Sequence, residues 1–121
     1  MILVTEGLGP QPFHGRIVIL INEYTHSAAE TVASFAKDNR VATLVGGRTP
    51  GQVLGGANFK LPGGYVLRMP VAGWYTCQGK CIEGSGVEPD FVVENSPESL
   101  AAAIDRQLEK ALAEVKALPK N

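Results

Sequence analysis

The sequence predicts an α/β fold built on a parallel sheet, and three stretches carry that expectation. Ile17 to Ile21 and Val41 to Val45 are continuous apolar runs rich in β-branched residues, and between them lies a helical pattern that begins at or beside Ser27. Uninterrupted apolar runs suit strands covered on both faces, as parallel sheets require. A strand, a helix and a strand in about 30 residues form a βαβ unit, expected to be right-handed.

Residues 1–15 hold Gly7, Gly9, Pro10, Pro12 and Gly15, the punctuation of a loop, with Ile2 to Val4 as the end of a strand. The first buried strand runs into a polar turn, Asn22-Glu23-Tyr24-Thr25. The helix behind it repeats Ala29, Val32, Ala33 and Ala36 on one face, small enough to lie close against the sheet, and Asn39 ends it. Gly46 to Gln52 is a glycine-rich connection. Val53 to Leu61 and Tyr65 to Tyr75 read as strands around a Pro62-Gly63-Gly64 turn, and Cys77 to Cys81 reads as another turn. Gly84 to Pro89 is irregular, and Phe91 to Val93 is a short strand. Ser96, Pro97 and Glu98 open a last helix with a cap, a proline at the first position and an acid in the first turn. Leu100, Ile104, Leu108, Leu112 and Val115 mark its apolar stripe, and Pro119 follows its end.

The 121 residues suit one compact domain, and 45% hydrophobic with 19% charged residues is a globular balance. A net charge of −1 and a pI near 6.1 leave no phosphate-binding footprint, which argues against a nucleic-acid partner. No apolar run approaches the roughly 20 residues of a membrane helix. The opening MILVTEGLGP has neither the basic nor the long apolar region of a signal peptide.

Ser27 stands at the strand-to-helix junction, beside free backbone N–H groups and the positive end of a helix dipole. Ser27-Ala28-Ala29-Glu30 fits the S-x-x-E capping box, in which hydroxyl and carboxylate satisfy helix-end N–H groups reciprocally. The same position suits a nucleophile, with the Ala28 N–H as an oxyanion donor. Spacing alone leaves both readings open. A nucleophilic serine needs a base within hydrogen-bond reach, and the sequence has two histidines. His26 is adjacent to Ser27 and points elsewhere, whereas His14 lies a strand's length away, roughly 20 Å at about 3.3 Å per residue. They read as a turn and a loop residue. Glu83 lies in a glycine-punctuated segment, as a solvated carboxylate or a site acid. Cys77 and Cys81 are either a hairpin disulfide or two free thiols, and a pair of cysteines cannot alone fill a zinc site. The glycines form no nucleotide-binding pattern. Neither metal nor cofactor is expected.

The string Ile21-Asn22-Glu23-Tyr24-Thr25-His26-Ser27-Ala28-Ala29-Glu30 resembles the nucleophile region of the S41 peptidases. That family holds the C-terminal processing (tail-specific) proteases, the tricorn core protease and the interphotoreceptor retinoid-binding protein repeats. Val45-Gly46-Gly47-Arg48-Thr49-Pro50-Gly51, Trp74-Tyr75-Thr76 with Gly79-Lys80, and Gly86-Val87-Glu88-Pro89-Asp90 match in the family's order from about Gly15 to Asn95. The resemblance implies a crotonase/ClpP-like core with a βαβ unit, additional β-hairpins and a C-terminal helix. It implies that residues 1–121 are a single domain, the C-terminal part of a protease catalytic domain, and that the chemistry is endopeptidase cleavage through an acyl-enzyme.

Carried over residue by residue, Ser27 is the nucleophile and the Ala28 N–H an oxyanion donor. Processing proteases place a catalytic lysine directly after the glycine matching Gly51, and Gln52 stands there. An amide has no titratable proton near neutral pH, so Gln52 is a wall residue at most and no base. The tricorn-like arrangement takes a histidine from earlier in the chain, oriented by a downstream glutamate whose position Glu83 matches. The implied partners are a polypeptide substrate and the upstream part of the same protease chain, with homo-oligomers through exposed apolar surface. Residues 1–121 alone are expected to be inactive. The processing-protease resemblance points to the bacterial periplasm or cell envelope ahead of the cytoplasm. The competing reading is a non-catalytic S41-like module that binds an apolar ligand or peptide, with Ser27 only capping a helix.

Overall fold

The two β-branched runs become neighbouring parallel strands in the computed structural model, which describes residues 13–76 and 78–118. Strand β1 (Val18–Ile21) leads through helix α1 (Ala28–Asp38) to β2 (Thr43–Gly46), completing the βαβ unit. Strand β2 lies between β1 and β5 (Phe91–Val92), all parallel, with Ile21 opposite Gly46 and Val45 opposite Phe91. Strands β3 (Gly55–Lys60) and β4 (Val66–Ala72) form a separate antiparallel hairpin around the turn Pro62–Gly64. Helices α2 (Pro97–Ala101) and α3 (Arg106–Ala117) close the described chain, and α3 packs against β1 and β2.

The core joins the two strand ends to the loops beyond them. Ile21, Ala33, Leu44, Val53, Ile82 and Val87 are buried together, with Ile19 and Trp74 packed against them. A fully buried Leu or Val contributes about 2 kcal/mol of transfer free energy, so Leu44 and Val45 anchor the central strand. Asp90 pins β5 to it: its N–H donates to the Leu44 carbonyl, and its Oδ2 accepts the Leu44 N–H, both at 2.8 Å.

Several expectations are corrected. Strand β1 is not covered on both faces, since Leu20 is 42% exposed and Ile17 37%. They border an open groove of about 410 Å³ shared with Leu108 and Leu112 of α3. Strand β2 starts at Thr43 because Val41 is used to end α1. Its N–H donates to the Ala36 carbonyl at 3.0 Å while Arg40 adopts φ 55, the left-handed turn that closes a Schellman motif.

The buried face of α1 is Glu30, Ala33, Ser34 and Ala36, whereas Ala29 and Val32 face outward. Four hydrogen bonds to the Glu30 carboxylate, described below, rotate the helix towards its acid. The expected last helix is two helices. Ala103 takes φ 58, and Asp105 starts α3 afresh by accepting the Leu108 N–H at 3.0 Å. Asn95 secures the corner, accepting the Arg106 N–H at 2.8 Å and donating to Asp105 at 3.0 Å. The stripe from Leu100 to Leu112 is therefore broken and largely exposed, and Ala111 is the buried residue of α3. Ile2 to Val4, Cys77 and Pro119 lie outside the described residues.

Candidate active site

Three backbone segments meet beyond the carboxyl ends of β1 and β2, where open parallel sheets bind their ligands. They are the turn into α1, the connection 46–53 after β2, and the loop 82–87. The first is tightly built. The Thr25 N–H donates to the Asn22 carbonyl at 3.0 Å, and the Asn22 side chain accepts the Tyr24 N–H at 2.9 Å. The Thr25 hydroxyl accepts the Asn22 N–H at 3.0 Å.

Ser27 comes next, with φ 55 and ψ −120. A helix cap ordinarily has extended backbone. A residue with a side chain in the conformation of Ser27 is strained, and such strain persists only where surrounding structure imposes it. Here the Ser27 N–H is shared between the Gln52 carbonyl and Glu30 Oε2, each at 3.1 Å. The Glu30 N–H goes to the Ser27 carbonyl at 3.0 Å, and the hydroxyl, although placed as in a capping box, makes no cap hydrogen bond of proper geometry. Ser27 and Ala28 are exposed. The Ala28 N–H, first in the helix, has no acceptor among the described residues.

Glu30 is 0% exposed and collects donors from both sides. Its Oε1 accepts the Thr49 hydroxyl at 2.5 Å and the Gly51 N–H at 2.6 Å, and its Oε2 accepts the Gln52 N–H at 2.8 Å as well as that of Ser27. Burial by itself would raise its pKa. The bonds from the Thr49 hydroxyl and from the Gln52, Gly51 and Ser27 amides outweigh that effect and hold the carboxyl below its ordinary value.

The loop 82–87 is locked to the same strap. The Thr49 hydroxyl, while donating to Glu30, accepts the Val87 N–H at 2.8 Å. Gly51 has φ 75, and a Cβ there would sit 2.6 Å from the Gly86 nitrogen, so only glycine allows this approach. Glu83 is half-buried and its Oε2 accepts the Val53 N–H at 2.8 Å. Ser27 and Glu83 thus engage adjacent residues of one strap, Gln52 and Val53. The side chain of Gln52 is exposed, and its peptide groups do the bracing.

An exposed hydroxyl on a strained turn, beside an open N–H at a helix start, can attack a carbonyl and stabilise the resulting oxyanion. No base among the described residues hydrogen-bonds the Ser27 hydroxyl. His14 and His26 are exposed, and the described residues contain no cluster of three metal-ligating side chains. Cys81 is exposed and in no disulfide. Sequence reasoning brought Ser27, Ala28, Gln52 and Glu83 forward but missed Thr49 and gave Glu30 only a capping role. The available signal was the helical register of Glu30 with the small residues Ala33 and Ser34, which puts an acid on the buried side of α1.

The profile of the family described as peptidase family S41 matches residues 4–93. The tricorn protease of Thermoplasma volcanium is 36% identical over 110 residues, covering 87% of this chain and 11% of that protein. The carboxyl-terminal-processing protease of Synechocystis sp. is 41% identical over 78 residues, covering 64% of this chain and 18% of that protein. Among solved structures, the tricorn protease crystal structure superposes with a TM-score of 0.76 at 29% identity, covering 85% of this chain and 10% of that one. The chain therefore spans between a tenth and a fifth of these relatives' length.

Proposed function

Because the chain belongs to peptidase family S41, we propose that residues 1–121 are a single domain, the C-terminal part of a serine endopeptidase's catalytic domain, with Ser27 as its nucleophile. The observation that carries the reading is the backbone of Ser27. A serine that only caps a helix has no need of φ 55 and ψ −120, whereas a nucleophile gains exposure and alignment from such a turn. In the proposed reaction the Ser27 hydroxyl attacks the scissile carbonyl of a polypeptide, and the Ala28 N–H donates to the oxyanion. Collapse of the tetrahedral intermediate breaks the peptide C–N bond, and the leaving amine takes the proton that the base drew from Ser27. Water then hydrolyses the acyl-enzyme to a carboxylic acid and free Ser27. The base comes from residues outside those described, and Glu83 orients it. Gln52 cannot be that base.

The expected outcome in the full-length protein is peptide hydrolysis that Ser27→Ala lowers by at least about 10⁴-fold. Hydrolysis unaffected by Ser27→Ala would overturn the reading. A cell-envelope location belongs to the same proposal, supported by the match to bacterial processing proteases, and fractionation of cells tests it.

One observation favours a second reading. Gln52 at the lysine position, with no base on the Ser27 hydroxyl among the described residues, also fits a module that binds a peptide or apolar ligand without cutting it. Tight, Ser27-independent peptide binding with no cleavage would select that reading.

A further inference from the structure

Buried carboxylates are rare unless every lone pair is used, because desolvation of the charge must be offset by donors. Glu30 has such donors, and their origin is informative. One comes from the serine turn itself, the Ser27 N–H. The other three come from the strap after β2, the Thr49 hydroxyl and the Gly51 and Gln52 amides. A carboxylate spent only on capping would face its own helix end. Glu30 instead joins the nucleophile turn to a segment some twenty residues away in sequence, and the Thr49 hydroxyl passes the connection on to Val87 in the loop that carries Glu83.

We infer that Glu30 is a positioning residue. It fixes the strained backbone of Ser27 and the separation between Ser27 and Glu83, with Thr49 as the relay between them. This rests on the reading of Ser27 as nucleophile. The charge matters as well as the shape. A carboxylate is acceptor-only, which suits four converging donors, while a glutamine amide would turn its NH₂ against the Ser27 and Gln52 amides or against Thr49 and Gly51. Loss of the carboxylate relaxes φ at Ser27 and moves its hydroxyl relative to the oxyanion donor, a displacement that costs rate and leaves substrate binding alone.

The test is the rate at which a fluorophosphonate labels Ser27 in the full-length protein, alongside kcat and KM for a peptide substrate. Glu30→Gln is expected to slow labelling and lower kcat by about 100-fold with KM unchanged. A folded Glu30→Gln protein that labels at the wild-type rate, or that loses activity through KM alone, overturns the inference. If Glu30→Gln does not fold, Thr49 decides. Thr49→Val removes both the hydrogen bond to Glu30 and the acceptor of the Val87 N–H, and is expected to slow labelling at least about tenfold, with Thr49→Ser restoring it. Equal rates in Thr49→Val and wild type overturn the inference. Wild-type protein unlabelled at Ser27 fails differently: the nucleophile assignment falls first, and the positioning role goes with it.

Discussion

Ser27 and Glu30 depend on one another for opposite reasons. Ser27 holds a conformation it would leave if released, and Glu30 holds a charge that burial disfavours and four hydrogen bonds restore. The pH behaviour follows from the carboxyl. Its folded pKa lies below the ordinary 4.5, so the ionised form favours folding. That stabilisation is complete at neutral pH and is lost as pH falls below 4.5 through the lower folded value. Glu98 and Asp105 shift the same way, Glu98 below 4.5 and Asp105 below 3.8, held down mainly by backbone N–H groups at their helix starts. The contribution of Glu30 is the difference between wild type and Glu30→Gln. At pH 7 the variant is expected to be less stable by about 3 kcal/mol, and the gap to narrow as pH falls towards 3. Urea midpoints across that range measure it. A gap independent of pH would mean that shape, and not charge, supplies the stability.

At the scale of elements, the loop 82–87 and the strap 46–53 fit through glycine. Gly86 has φ 63, and a Cβ there would overlap the Thr49 carbonyl oxygen, whereas Gly84, with φ 70, faces open space. Gly86→Ala is expected to destabilise the protein by about 3 kcal/mol or more. Gly84→Ala is expected to cost only the backbone term, about 1 kcal/mol. Thermal or urea unfolding separates the two, and equal effects would contradict the close packing. The same elements mark what sequence could and could not reveal. The runs ending in Ile21 and Val45 made the βαβ unit legible because parallel strands need continuous apolar residues. The face of α1 was misread because amphipathic patterning assigns every acid to solvent, and Glu30 is buried by partners that arrive from the strap after β2. The split between α2 and α3 was missed because the apolar spacing from Leu100 to Leu112 carries through it. The break comes from the polar pair Asn95 and Asp105, brought together across the corner. Of the site, the exposed serine at the helix start was legible as a motif, whereas the Thr49–Glu30 contact spans nineteen residues and exists only once β1 and β2 pair.

At the scale of the molecule, the described residues leave Ser27 and several apolar side chains exposed. Leu20 on β1 and Leu108 and Leu112 on α3 are exposed, as are Val66, Met69 and Val71 on β4. No helix among the described residues is long and apolar enough to cross a membrane. With no base on the Ser27 hydroxyl among the described residues, residues 1–121 expressed alone are expected to show no Ser27-dependent amidase turnover. Turnover abolished by Ser27→Ala in that isolated chain would place the base within it. The decisive measurement is on the full-length protein: fluorophosphonate labelling, mapped by peptide mass. A nucleophilic Ser27 predicts label on that residue and none after Ser27→Ala. A folded protein in which Ser27 stays unlabelled, or in which another serine takes the label, would contradict it.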